Sequence, residues 1–187
     1  MAKHEIRVLG IDDAPFDKFR DSTTKVIGLI YRGGQFPDGV VSTTVSVDGT
    51  DSTSSLVDMI NSCKFRDQLR AVLLKGIAVA GFNIIDISAL SERTGIPVIV
   101  VMRSEPRIIE MVAALEKLGL TIQRDALQKA GEIHKTGKLL FQCAGCFAEE
   151  AVKIIALTTA HGNLPEPLRV AHLVAGGITT GESRGRA

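Results

Sequence analysis

Apolar positions in the first part of the chain come in short runs rich in branched residues, and further along they fall at helical spacing. "EIRVLGID" (5–12), "TTKVIGLIYRGG" (23–34) and "GVVSTTVSVDG" (39–49) predict three strands. The turn-forming "GGQFPDG" joins the second to the third, and a link this short cannot make a parallel crossover, so an antiparallel meander is expected. Leu56, Val57, Ile60 and Cys63 then share one face, after Asp, Ser and Thr residues able to cap it, which predicts a helix over 54–64. "RAVLLKG" (70–76) and "IPVIVVM" (96–102) read as buried strands on either side of the helix "NIIDISALSERTG", closed by Gly95. That is a βαβ unit with parallel strands.

Pro106 opens a further helix through Ile108, Ile109, Val112 and Leu115. A helix and the strand "KLLFQCAG" are expected between 120 and 145, then helices over 147–159 and 166–175. Residues 177–187 read as a flexible, glycine-rich tail. The order is therefore three meandering strands, a βαβ unit and then helices, an α/β chain read as one domain over 1–187.

Composition narrows the partners. With 45% hydrophobic residues, 23% charged residues and a formal net charge of +1, no global field draws the chain to nucleic acid, so any basic surface must be local. Apolar stretches such as "GIPVIVVM" are strand-length, far below the ~20 residues of a membrane span. The N-terminus has no apolar signal region and the three cysteines are an odd count, so a reducing cytoplasm is the expected compartment. Trp is absent and Tyr occurs once, which makes stacking platforms scarce.

The chemistry-bearing stretch is "VLGIDDAPF" (8–16), a strand that ends in two carboxylates. The pleat sends neighbours to opposite faces, so Asp12 and Asp13 cannot enter one site together. With "VDGTDST" (47–53), "GIAVAGFNIIDISALSERTGIPVIVV" (76–101) and "LPEPLRVAHLVAGGITTGES" (164–183), this stretch carries a resemblance that spans nearly the whole chain. The sequence resembles endonuclease V, of the ribonuclease H-like fold. It is similar above all to a mainly archaeal family of uncharacterised relatives of that nuclease. The resemblance implies a mixed five-stranded sheet flanked by helices, DNA or RNA as partner, and Mg²⁺ or Mn²⁺ held by carboxylates.

It further implies Asp12 as first metal ligand, and Asp48 or Asp51 as second, where the nuclease has a glutamate. Asp51 fits a helix cap equally well. At the nuclease's third ligand this chain has Lys75, whose charge repels a metal ion and suits phosphate instead, so at most one ion is implied. Asp12, Asp51 and Lys75 are the catalytic candidates. Arg103 stands where the nuclease has a lysine near the substrate phosphate, and a guanidinium can bind phosphate in a bidentate pair. Asn83, at the carboxyl edge of a parallel strand, is the other substrate-binding candidate, by a polar contact to ligand or else a loop hydrogen bond.

The nuclease's tyrosine wedge and its glycine-histidine pair have no counterpart in "VVSTTVSVDG" or "FQCAGCFAEEA", so cleavage at deoxyinosine is not implied. Cys143 and Cys146 have C-x-x-C spacing, but packing is the favoured reading because no second pair completes a zinc site. Asp86 suits the first turn of its helix. His172, mid-helix among Leu168 and Val170, reads as a packing or helix-surface residue. Two functions follow: metal-assisted phosphodiester hydrolysis, or non-catalytic binding of nucleic acid or another anion.

Overall fold

β1 (Arg7–Asp13), β2 (Thr23–Arg32) and β3 (Phe36–Ser46) form the expected antiparallel meander, in a computed structural model that describes residues 5–183. β4 (Leu69–Lys75) lies parallel to β1, and β7 (Val98–Met102) parallel to β4. This gives the core order β3-β2-β1-β4-β7, the expected mixed five-stranded arrangement. Two antiparallel strands, β9 (Leu139–Ala144) and β8 (His134–Thr136), widen the sheet to seven. β9 matches "KLLFQCAG"; β8 carries no apolar signal, because its three residues, His-Lys-Thr, are partly or fully exposed.

Both faces of the sheet are covered, so its central strands are continuous apolar runs. Leu9 and Ile11 of β1 face one core with α1 (Ser52–Asn61), α2 (Ile87–Thr94), α3 (Ile108–Lys117) and α4 (Thr121–Gln128). Val8 faces the other, with α5 (Ala148–Thr158) and α6 (Glu166–Thr180). β5 (Ala78–Val79) and β6 (Asn83–Ile84) form a short antiparallel pair, and β6 occupies the start of the segment expected to be helical from 83. The helix begins at Ile87, where the Asp86 side chain accepts from Ala89 N–H at 2.9 Å.

The expected tail is corrected in part. α6 continues through Gly176 and Gly177 to Thr180 and ends at Gly181 with φ +80°, because Ala175 and Gly176 are buried against the sheet. The two tail arginines, Arg184 and Arg186, lie outside the described residues. Among the described residues no helix is long and apolar enough to cross a membrane.

One close approach sets the position of α6. A Cβ on Gly10 would stand 2.5 Å from the carbonyl carbon of Pro167, so only glycine lets the helix lie this near β1.

Candidate active site

The parallel register of β1 and β4 places Ile11 beside Leu74, so Asp12 and Lys75 leave the sheet at one edge. Both follow residues of the α6 face, Val8 on β1 and Leu73 on β4, by strand alternation. The Lys75 ammonium donates to Asp12 Oδ2 at 3.0 Å. α6 supplies the third member: His172 Nδ1 lies 2.8 Å from the same Oδ2 and 2.9 Å from Lys75 Nζ. The Asp12 side chain is 6% exposed, and Lys75 and His172 are each 25% exposed, so a buried carboxylate meets two partners that reach solvent. Nδ1 donates to Asp12 when it carries the ring proton and accepts from Lys75 when it does not. In the first tautomer Nε2 is left as a proton acceptor.

His172, read from its neighbours as a packing or helix-surface residue, instead makes a polar contact with Asp12. The signal was present in the periodicity: Leu168, Ala171, His172 and Ala175 fall at i, i+3, i+4 and i+7, and the other three are fully buried. A histidine on the sheet-facing stripe of a helix needs a polar partner, and Asp12 is that partner.

The other acids do not join this cluster. Asp13 takes the opposite face, where its carboxylate accepts from Ala80 N–H at 2.8 Å. Burial pushes the Asp13 carboxyl above its ordinary range, and the Asp12 charge adds to that. Asp48, in the left-handed region at φ +51°, accepts from Phe82 N–H at 2.7 Å. Asp51 precedes α1 but makes no side-chain cap. Its carboxylate accepts instead from the Ser46 N–H and hydroxyl, and from Asn83 Nδ2 at 2.6 Å.

The expected ligand set of Asp12 with Asp51 or Asp48 is therefore not assembled. Among the described residues no group of three or more His, Cys, Asp or Glu side chains is placed to hold an ion. The donors do not fit the carboxylate-rich metal site that the nuclease resemblance implies, and the Lys75 ammonium supplies the positive charge at Asp12.

Asn83 takes the second of its two readings, the loop hydrogen bond. It is fully buried, its Oδ1 accepts from Ser52 N–H, and its Nδ2 donates to Ser46 and Asp51, so it braces the entry to α1 with no hydrogen-bonding group left for substrate. Burial pushes Asp51 up, but the hydrogen bonds from Asn83 and Ser46 outweigh it and hold the carboxyl below its ordinary range. A lowered value stabilises the fold above the unfolded carboxylate pKa, and the contribution disappears as pH falls through the folded value. Asp51→Asn is expected to flatten the acid limb of a Tm-against-pH curve; an unchanged limb would remove this role.

Arg103 is exposed just beyond β7, two residues after Val101, which pairs with Lys75. It has no ion pair or hydrogen bond among the described residues, which leaves its guanidinium open to an anion. A cleft of about 430 Å³ opens between the start of the β1–β2 loop and the end of α6, lined by Ala14, Pro15, Lys25 and Ile178. A larger groove of about 750 Å³ between β3 and α1 is on the opposite face and holds none of the candidate residues. At the C-x-x-C pair, burial pushes the Cys143 thiol up and drives Cys146 to about 12, so neither is a thiolate at neutral pH.

The fold is similar to that of endonuclease V from Bacillus subtilis, with a TM-score of 0.64 at 10% identity over 93% of this chain and 81% of that one. Ciona intestinalis endonuclease V, solved with DNA containing an inosine, gives a TM-score of 0.56 at 17% identity over 89% and 83% of the two chains. Much nearer in sequence is a crystal structure of a protein of unknown function from Archaeoglobus fulgidus, with a TM-score of 0.87 at 39% identity over 93% and 98%. A UPF0215 protein of Methanothermobacter thermautotrophicus is 43% identical over 99% of this chain and 93% of its own length. The chain is thus similar in sequence to these archaeal proteins and shares the fold of endonuclease V. The family model for endonuclease dU matches residues 4–179, from the strand that carries Asp12 to the helix that carries His172, and the chain belongs to that family.

Proposed function

We propose that the protein is a nucleic-acid-processing hydrolase that acts on a phosphodiester at the Asp12–Lys75–His172 cluster. The convergence of these three side chains at the carboxyl ends of β1 and β4 carries the reading. The family's description, endonuclease dU, makes deoxyuridine in DNA the first substrate to test.

In this reading Asp12 holds the imidazole through Nδ1 and fixes its tautomer, as a carboxylate does for a catalytic histidine elsewhere. Nε2 then takes a proton from water as the water oxygen bonds to phosphorus. The bond from phosphorus to the departing sugar oxygen breaks, and that oxygen takes a proton from solvent. Lys75 and Arg103 offset the charge that builds on the phosphate oxygens. No step in this scheme runs through Asp51, whose carboxylate is committed to Ser46 and Asn83.

The test uses single-stranded and duplex oligonucleotides that carry deoxyuridine, deoxyinosine or neither, with RNA of matching sequence. Cleavage by the parent protein should drop about 100-fold or more in His172→Ala and in Asp12→Asn. Cleavage undiminished in both variants would overturn the assignment. Binding without cleavage by the parent would favour a second reading, a non-catalytic binder. The specific observation behind that reading is that the Lys75 ammonium already occupies Asp12.

A further inference from the structure

The loop between β1 and β2 begins directly after Asp13 and carries Phe19, whose ring is 95% exposed. That exposure is built into a tight turn. Phe19 N–H donates to Asp17 Oδ1 at 2.9 Å, and Asp17 N–H to Asp21 Oδ2 at 2.7 Å. Asp21 N–H in turn donates to the Asp17 carbonyl at 2.9 Å. The foot of the loop is also pinned, by Ala14 N–H to the Lys25 carbonyl at 2.8 Å and by the Thr24 hydroxyl to the Ala14 carbonyl. The two loop acids are thus used on backbone N–H groups. The adjacent cations point elsewhere: Lys18 lies over the Phe82 ring, and the Arg20 side chain is 86% exposed with a loose 3.6 Å contact to Asp17.

We infer that Phe19 is a base-stacking residue, on which a nucleobase of a single-stranded or locally opened strand rests while an adjoining phosphate meets Arg20. The inference depends on the nucleic-acid reading above and adds the part of the ligand that this loop recognises. A fully presented ring next in sequence to an exposed guanidinium, on the loop that leaves the sheet end holding Asp12 and Lys75, has the composition of a stacking platform with a phosphate contact. Every base has a π face, so this contact holds the strand in place without selecting a sequence. Among the described residues Phe19 is the most exposed large apolar side chain.

Fluorescence anisotropy of a labelled single-stranded DNA tests it. Phe19→Ala should weaken binding between about fivefold and a hundredfold, the range of one lost stacking contact, with the melting temperature unchanged. Phe19→Leu, which keeps apolar bulk but no π face, should lose nearly as much. The chain has no tryptophan, so Phe19→Trp creates a single indole reporter that should keep affinity and be quenched by unlabelled oligonucleotide. Wild-type binding matched by Phe19→Ala, or an indole left unquenched, as expected if the ring packs on a protein partner, overturns the stacking role alone. A wild-type protein that binds no oligonucleotide overturns both the stacking role and the nucleic-acid reading.

Discussion

Gly10→Ala is expected to lower the melting temperature by about 2–12 °C and to abolish the alignment of His172 in the same step. The added methyl would sit 2.5 Å from both the carbonyl carbon and the Cβ of Pro167, and 2.7 Å from the carbonyl oxygen. These are backbone and ring atoms, so no rotamer change relieves the clash, and α6 must shift away from β1. Overpacking of this kind costs about 1–3 kcal/mol, and each kcal/mol moves the melting temperature of a chain this long by about 2–4 °C. The paired control is Gly177→Ala, on the same helix. Nothing lies within 4 Å of its added methyl, so the gain in helix propensity should stabilise the fold by up to about 1 kcal/mol. Two alanines of opposite sign, one at the sheet–helix contact and one on the helix away from it, followed by thermal melts, isolate sterics from propensity. Equal effects would dispose of the close-approach account.

The second large effect is a gain of metal binding in Lys75→Ala. Asp12 Oδ2 and His172 Nδ1 are 2.8 Å apart, close to the separation of two adjacent ligands on one ion at about 2.1 Å from each. The pair is thus spaced for a cation, and Lys75 Nζ supplies one at 3.0 Å from the carboxylate. Even at the dielectric constant of water, a unit charge about 4 Å from a divalent ion opposes it by about 2 kcal/mol. Removal of the ammonium should therefore tighten Mn²⁺ binding at least about tenfold, read by electron paramagnetic resonance. Mn²⁺ should raise the melting temperature of Lys75→Ala well beyond that of the parent, because an ion that binds only the folded state stabilises it. Adding Asp12→Ala should cancel the gain. Equal Mn²⁺ affinity in parent and variant would mean that the ammonium does not compete for this pair.

The strands of the core and most helices were legible because each is a run with its own period: the branched residues of β1, β4 and β7, or the spaced Leu56, Val57 and Ile60 of α1. Asp12 was legible because the pleat and the motif agree on it. The destinations of the other polar groups were not, since each depends on a partner remote in the chain. Asp51 looks like a cap until Asn83, 32 residues on, is found to donate to it. α6 passes through two consecutive glycines that read locally as a break, and it continues because the helix packs on β1 and β2. His172 fell between the two cases: its position on the buried stripe was visible, but its partner lay 160 residues away.

That separation has a consequence for biosynthesis. Asp12 is translated early and His172 late, so at about 5–20 residues per second β1 waits roughly 8–30 s for the helix that completes its site. Until then a nascent chain holds Asp12 and Lys75 without the imidazole, and Gly10 lies uncovered. Docking of α6 on β1 then completes the three-residue cluster, so under the proposed function a chain without α6 lacks the imidazole that cleavage would need.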